Sequence, residues 1–326
     1  MAAIPPVLVG GEALFDIISM NPGAGLGRTT TFQKRPGGSP FNIAVGIGRL
    51  GVPVSFVGKI GEDQFGQALV DFLENEGVGV DLVNRQPGTK TTLAFVAVDQ
   101  AGRVDFRFYR DNAADISLTK NEVARVDPKK FSIYHCGGIV LAQEPTLSAY
   151  TSIADRFADA GVPVSLDPTI RKSLISDEKS YLAVLLRLIA KVTILKVSDE
   201  ELLFLTQKPD FDEAVASLPM RPGTLVIVTL GKEGALVFSC GRRLVQVPGF
   251  TVEVVETTGC GDSFMAATLA QLAGRSVEEI AKLTPDELEP IARFANAAAA
   301  IVATRYGAAD ANPTKKEVEE FLATQG

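Results

Sequence analysis

The stretch from Glu256 to Asp262 reads Glu-Thr-Thr-Gly-Cys-Gly-Asp and carries the densest chemistry in the chain. Gly259 and Gly261 flank Cys260 and lead into an acid, after which Met265, Leu269 and Leu272 recur at helical spacing. The glycines therefore stand at a helix N-terminus, where backbone N–H groups lack partners and the helix dipole is positive. Such a turn holds an anion, most often phosphate. A carboxylate beside a bound phosphate repels it, so Asp262 needs a reason to be there. One reason is general-base catalysis, the removal of a proton from a hydroxyl that attacks the phosphorus. The other is an ordinary helix start with an acid in its first turn. These seven residues are compatible with both.

A second glycine turn, Pro36-Gly37-Gly38-Ser39-Pro40-Phe41-Asn42, opens another helical pattern through Ile43, Ile47 and Leu50. Paired glycines allow close backbone approach, and Asn42 offers donor and acceptor to a hydroxylated ligand. The plainer reading is a tight loop with an Asn in the first turn. Within this helix Gly46-Ile47-Gly48-Arg49-Leu50-Gly51 satisfies G-x-G-x-x-G. A dinucleotide fingerprint must follow a strand and open a helix, whereas these glycines lie inside one and Gly51 ends it. Gly61-Glu62-Asp63-Gln64-Phe65-Gly66 is followed by Gln67, where a P-loop requires lysine.

Composition removes several classes of chemistry. His135 is the only histidine, which argues against Ser-His-Asp, Cys-His and His-rich metal sites. It lies in an apolar stretch and reads as structural. Cys136, Cys240 and Cys260 are odd in number and far apart, without metal-ligand spacing, so a reducing cytoplasm is the expected compartment. The net charge of −7, with no basic tract, argues against nucleic acid and anionic membranes as partners. No basic leader followed by an apolar run is seen at the N-terminus, and no apolar run approaches a membrane span.

Strand-like and helical runs alternate, which predicts an α/β fold with a mostly parallel, doubly wound sheet. The expected strands are 6–10, 54–58, 132–136, 162–166, 192–197 and 225–230, several of them continuously apolar, as strands buried on both faces are. Helices are expected at 145–160, 181–190 and 290–305. Segments 15–35 and 91–109 read instead as hairpin strands, the second turning at Asp99-Gln100-Ala101-Gly102. They predict a small sheet, from about 13–36 and 91–112, projecting as a lid from a single domain. Asp16, Asp167, Arg171, Lys196, Asp199, Glu200, Glu201, Thr229 and Gly231 all fall where strands end, which is where open α/β sheets bind ligands. Each could also be a solvated loop or cap residue; Ser198-Asp199-Glu200-Glu201 reads well as a first helical turn.

With both glycine turns in view, the chain resembles the ribokinase or PfkB family of carbohydrate kinases. Gly37 through Gly51 matches the family's N-terminal signature, and Glu256 through Phe264 its C-terminal D-T-T-G-A-G-D-x-F. The resemblance extends over essentially the whole chain and implies the doubly wound sheet with its lid. It implies Asp262 as catalytic base, with Gly259, Cys260 and Gly261 as the anion hole. Asp16, Gly38 and Asn42 match the sugar contacts, with Asp167 and Arg110 on the same side. Arg171, Lys196, Thr229, Gly231, Gly234 and Asn296 match the nucleotide side. Lys196 through Asp199 occupies the N-x-x-E position linked to magnesium, with Lys in place of Asn. Glu256 and Thr258 match a monovalent-cation site, with Glu in place of Asp, and Cys260 replaces Ala.

The resemblance implies an ATP- and Mg²⁺-dependent sugar kinase in which K⁺ could be a further cofactor. Phe106 through Asp115 and Asp167-Pro168 with Arg171 are similar to fructokinases. Tyr109-Arg110 keeps open a 2-keto-3-deoxygluconate kinase, in which such a pair meets a carboxylate. Another PfkB sugar or nucleoside kinase is a further alternative. A non-catalytic kinase-like regulator would be expected to lack the base or the glycines, and this chain has both. The expected partners are a small sugar and, because an exposed lid sheet has edges to cover, a second copy in a lid-mediated homodimer.

Overall fold

The computed structural model describes residues 4–21, 23–98 and 104–325; the turn expected at 99–102 lies outside them. In chain order the strands are β1 (Val7–Gly10), β2 (Leu14–Ser19), β3 (Phe32–Gly37), β4 (Val54–Gly61), β5 (Gly79–Gln86), β6 (Leu93–Val98), β7 (Val104–Tyr109), β8 (Ile133–Gly137), β9 (Val164–Asp167), β10 (Ile194–Ser198), β11 (Leu225–Thr229), β12 (Ala235–Ser239) and β13 (Arg242–Val247). The helices are α1 (Ser39–Arg49), α2 (Gln64–Asn75), α3 (Thr146–Asp159), α4 (Glu178–Ile189), α5 (Asp199–Thr206), α6 (Phe211–Ser217), α7 (Cys260–Leu272), α8 (Val277–Ala281), α9 (Pro285–Ala303) and α10 (Lys315–Thr324).

The large sheet runs in the order β13-β12-β11-β10-β9-β8-β1-β4-β5. It is parallel from β5 to β11, and β12 and β13 add antiparallel to one edge. Strand order reverses at β1, which pairs with β4 on one side and β8 on the other. A crevice therefore opens beyond the C-terminal ends of β1 and β8, as the rule for open α/β sheets requires. Alternate residues of β1 enter opposite cores: Val7 and Val9 pack with α1, α2, α7 and α9, and Leu8 packs with α3 to α6. The small sheet, in the order β3-β2-β6-β7, joins two antiparallel pairs through a parallel β2–β6 contact. β2 starts four residues after β1 ends, so this sheet begins at the C-terminal end of β1, and it brings Asp16 within electrostatic reach of Asp262.

Several expected boundaries move. α9 begins at Pro285 rather than at Pro290, because Thr284 and Glu287 form a capping box and Pro285 takes the first helical position. Pro290 is tolerated inside the helix on its exposed side. β5, β12 and β13 were not expected. β5 is only half-buried and carries Asp81, Asn84 and Arg85, so it lacks the apolar run that marks a central strand. Gly51 does follow α1 with a left-handed backbone, φ 79°.

The G-x-G-x-x-G of α1 has a packing role. A Cβ at Gly46 would stand 2.7 Å from the Cβ of Ala266 in α7 and 2.9 Å from Asn312 Oδ1. Gly46 thus lets α1 and α7 approach closely with their N-termini level. Gly46→Val is expected to cost about 1–3 kcal/mol through overpacking, read as a lower urea midpoint. An unchanged midpoint would show slack between the two helices.

Candidate active site

The crevice is lined by the N-termini of α1 and α7. Gly259 caps α7 with φ 81°, and a Cβ there would lie 2.8 Å from the Cα of Ala308, so only glycine fits. The Ser263 N–H makes the first helical bond, to Gly259 O at 2.8 Å, and the Cys260 N–H makes a long turn bond to Thr257 O at 3.3 Å. The N–H groups of Gly259, Gly261 and Asp262 have no such partner among the described residues. They form a donor cluster at the positive end of a 13-residue helix, the arrangement that binds phosphate. A methyl added at Gly261 would stand 3.3 Å from Lys196 Nζ, so a buried ammonium borders the same turn.

Asp262 is held from α1. Ser39 Oγ donates to its Oδ1 at 2.7 Å and Asn42 Nδ2 to its Oδ2 at 2.8 Å. Thr169, in a left-handed conformation with φ 45°, donates to Ser39 Oγ at 3.2 Å. Burial raises the Asp262 carboxyl above the usual range, and the Asn42 and Ser39 hydrogen bonds oppose that shift. Asn42 Oδ1 is buried and unpartnered, an acceptor left over for a ligand hydroxyl. Two carboxylates therefore address one space, because Asp16 stands on β2 within electrostatic reach of Asp262. Asp16 is pushed up to about 7 by burial, by Asp262 and by Glu256, with Arg171 acting against the rise. Gly37 makes room for Asp16, since a Cβ there would meet its Oδ2 at 2.3 Å. Gly38, φ 104°, turns the chain into α1 with its own missing Cβ 2.7 Å from Glu12 O.

Beneath the turn, Lys196 Nζ donates to Asp167 Oδ2 at 2.7 Å in a buried pair. Removing one partner from such a pair costs about 3–5 kcal/mol. Lys196 is held protonated against its own burial by Asp167 and Glu201. Glu201 is the acid of this strand end that is tied into the protein by backbone N–H groups. Its Oε1 accepts from Ile170 N at 2.8 Å and its Oε2 from Ser198 N at 2.9 Å. Asp199 is exposed at the first position of α5, where its Oδ1 accepts from Glu200 N. His135 is fully buried, contacts Ser165 Oγ at 3.0 Å and is driven down to about 3 by burial and Lys196. It stays neutral.

The remaining predicted residues spread around this centre. Thr229 ends β11, and Gly231 and Gly234 shape the turn after it, with a Cβ at Gly234 standing 2.0 Å from Val247 O. Asn296 donates to Val247 O and Pro248 O and so fixes the chain that closes on Gly234. Thr258 is exposed beside Gly259. Glu256 accepts from Gly307 N at 3.0 Å. Arg110 does not stand free: its Nη2 binds Asp115 Oδ2 at 2.8 Å in a buried pair, while Tyr109 is 66% exposed.

Four positions at or behind the centre carry no specific role in the sequence reading. Ser39 lies in the quoted glycine turn, and its place next to a helix cap was the available signal. Glu201 is the third helical residue of the Ser198 capping box, a signal that reads first as structural. Asn312 donates to Asn42 O, Ala308 O and Ala309 O, tying α1 to the loop behind Gly259. Glu12 is 2% exposed behind Gly38 and Gly138. Neither of the last two has a local signature.

The chain matches the family described as pfkB family carbohydrate kinase over residues 6–315. It is 39% identical over 324 residues to a probable fructokinase-6, chloroplastic, from Arabidopsis thaliana, covering 98% of this chain and 82% of that protein. A fructokinase from Xylella fastidiosa with bound ATP superposes with a TM-score of 0.89 at 29% identity, covering 98% of each chain. A double-mutant fructokinase from Vibrio cholerae O395, bound to fructose, ADP and a potassium ion, gives 0.84 at 29% identity over 98% of this chain and 99% of that one.

The raised Asp16 carboxyl has a consequence for stability. Its folded value, about 7, lies above the ordinary 3.8. The native state therefore holds this proton more tightly than the unfolded chain, and stability falls as pH rises from about 4 to about 7. Asp16→Asn is expected to raise the urea midpoint at pH 8, with the gap closing towards pH 4. Equal midpoints at pH 8 would show that Asp16 is ionised in the fold without cost.

Proposed function

The chain belongs to the pfkB family of carbohydrate kinases, and we propose that it transfers the γ-phosphate of ATP to a hydroxyl of fructose. The observation that carries this reading is the Asp262 carboxylate, oriented by Ser39 and Asn42 beside unpartnered N–H groups at the N-terminus of α7. A base and an anion cradle so placed suit attack by a hydroxyl on phosphorus. Fructose is the substrate that the relatives' names support.

In this reading the sugar lies between the large sheet and the lid, its hydroxyls donating to Asp16 and to the free Oδ1 of Asn42. Asp262 accepts the proton of the attacking hydroxyl, and its raised affinity for protons suits a base that must hold one at the transition state. The Gly259, Gly261 and Asp262 N–H groups face the oxygens of the phosphoryl group in transfer. Lys196, kept charged by Asp167, adds a fixed cation at the same turn. Arg171, whose charge reaches Asp16, would add a further cation to the same phosphoryl group. The donor set is right for a polyphosphate, and the turn after Thr229, with Gly231 exposed and left-handed at φ 57°, offers backbone to its distal part. Mg²⁺, carried mainly by phosphate oxygens and water, would neutralise charge between the phosphoryl groups. Of the nearby acids, exposed Asp199 is freer for such an ion than Glu201, whose oxygens are taken by backbone N–H groups.

A carboxylate-bearing sugar is less well served, because Arg110 is already paired with Asp115. Among the described residues no helix is long and apolar enough to cross a membrane; we place the reaction in the cytoplasm. The exposed Met20 and Phe32 of the lid, 51% and 37% accessible, suit coverage by a second copy of the chain.

The test is ADP release with a panel of fructose, ribose, adenosine and 2-keto-3-deoxygluconate. Fructose is expected to give the highest kcat/KM, and Asp262→Asn to lower kcat by at least ~10²-fold with ATP affinity little changed. A better substrate elsewhere in the panel would displace fructose, and near-normal turnover in the variant would remove Asp262 as the base.

The potassium question turns on Glu256. Its carboxylate reaches Gly307 N, and Arg35 Nη1 donates to Tyr306 O at 3.0 Å and Asp310 Oδ2 at 2.9 Å. The loop behind Gly259 is thus braced by protein groups of both charges. We expect weak or absent activation when potassium replaces tetramethylammonium at equal ionic strength, and activation to appear in Glu256→Asp. Strong activation of the wild type would refute this.

A further inference from the structure

Behind the sugar platform lies a buried charge cluster that the phosphoryl transfer does not use. Arg110, just past the end of lid strand β7, has a side chain 9% exposed, and its Nη2 pairs with Asp115, itself 1% exposed. Thr92 Oγ1 donates to the other Asp115 oxygen at 2.6 Å, so Asp115 is fully engaged. Glu12 lies within electrostatic reach of both Arg110 and Asp115. It fills the space left where Gly38 and Gly138 turn: a Cβ at Gly138 would meet Glu12 Oε2 at 2.2 Å. Two atoms of this cluster are buried with no partner, Arg110 Nε and Glu12 Oε2. One is a donor and the other, when ionised, an acceptor.

We propose that the Glu12–Arg110–Asp115 cluster selects uncharged sugars and bars sugar acids, with Asp115 as the residue that decides. The inference rests on the sugar-kinase reading above and assigns the substrate class of that same site. Asp115 cancels the Arg110 charge that would otherwise attract a carboxylate. Above about pH 7, where Glu12 is ionised, it adds a second negative charge, so an anion entering from the platform meets net repulsion. The two leftover atoms point the same way. A hydroxyl carries both a proton and lone pairs, so it can accept from Arg110 Nε and donate to Glu12 Oε2. A carboxylate has no proton to give and leaves the Glu12 oxygen buried and unmatched. Burial pushes Glu12 up to about 7, with backbone hydrogen bonds and the Arg110 charge acting against the rise.

The experiment compares kcat/KM for fructose and 2-keto-3-deoxygluconate at pH 8, where Glu12 is ionised, in four proteins. The wild type is expected to favour fructose by ~10²-fold or more. Asp115→Asn keeps the shape but releases the Arg110 charge, and should narrow that ratio at least ~10-fold, chiefly through a lower KM for the acid. Adding Arg110→Met to Asp115→Asn should abolish the gain on the acid. Glu12→Gln leaves the ion pair in place and removes the second negative charge; it should move the ratio the same way by a smaller factor, and it decides the matter if Asp115→Asn does not fold. A wild type that prefers the acid would overturn the fructose reading itself. A wild type active on fructose, with folded variants whose ratio is unmoved or whose two activities fall in parallel, would leave that reading intact and overturn this inference.

Discussion

Everything at this site depends on how closely α1 approaches α7. Asp262 belongs to α7, yet the groups that aim it, Ser39 and Asn42, belong to α1, more than 200 residues away in the chain. The hydrogen bonds are short only because Gly46 removes the side chain that would separate the helices. Gly11, just after β1, lets the start of α1 settle on the sheet, because a Cβ there would collide with Pro40 at 2.1 Å. Asn312 then seals the joint by donating to Asn42 O and to the loop behind Gly259. The proposed general base would need its orientation fixed to well under an ångström, and that precision would come from absent methyl groups rather than from added contacts.

The electrostatics show the opposite tendency, towards cost. Asp16, Asp262, Glu12 and Glu256 crowd one crevice, and burial drives the first three towards their protonated forms. Lys196 answers only part of that charge and is itself divided between Asp167 and Glu201. A fold optimised for stability alone would not collect acids in this way. The arrangement makes sense where hydroxyl groups must be bound by acceptors and one must be deprotonated. Stability given up at such a place marks it as functional.

The sequence revealed most where local geometry dictates residue type. Both glycine turns were legible because a left-handed backbone at a helix cap admits little else, and the central strands because burial on both faces demands unbroken apolar runs. The α7 first turn alone left Asp262 open between a base and a helix-start acid, and the resemblance to PfkB kinases supplied the reading as a base. What stayed hidden was set by distance in the chain. Nothing near Asn312 announces that it braces Asn42, and nothing near Arg110 announces that Asp115 has already claimed it. Glu201 was masked because its capping box is a complete local explanation, though the same carboxylate also accepts from Ile170. β5 and β13 escaped because edge strands carry the polar residues that resemble loops.

One chain of contacts joins the lid to the phosphate turn. Arg35, on lid strand β3, holds Tyr306 O and Asp310. Gly307, next along, donates to Glu256 at the start of the 256–262 segment. Ala308, next again, sits against Gly259, the cap of α7. Asp16, on the neighbouring lid strand, faces Asp262 across the crevice. The lid strands that bear on the sugar site are therefore also the strands that bear on the loop behind the anion cradle. In the proposed reading, sugar contact and phosphate turn are therefore joined through one run of contacts, although 240 residues separate Asp16 from Glu256 in the sequence.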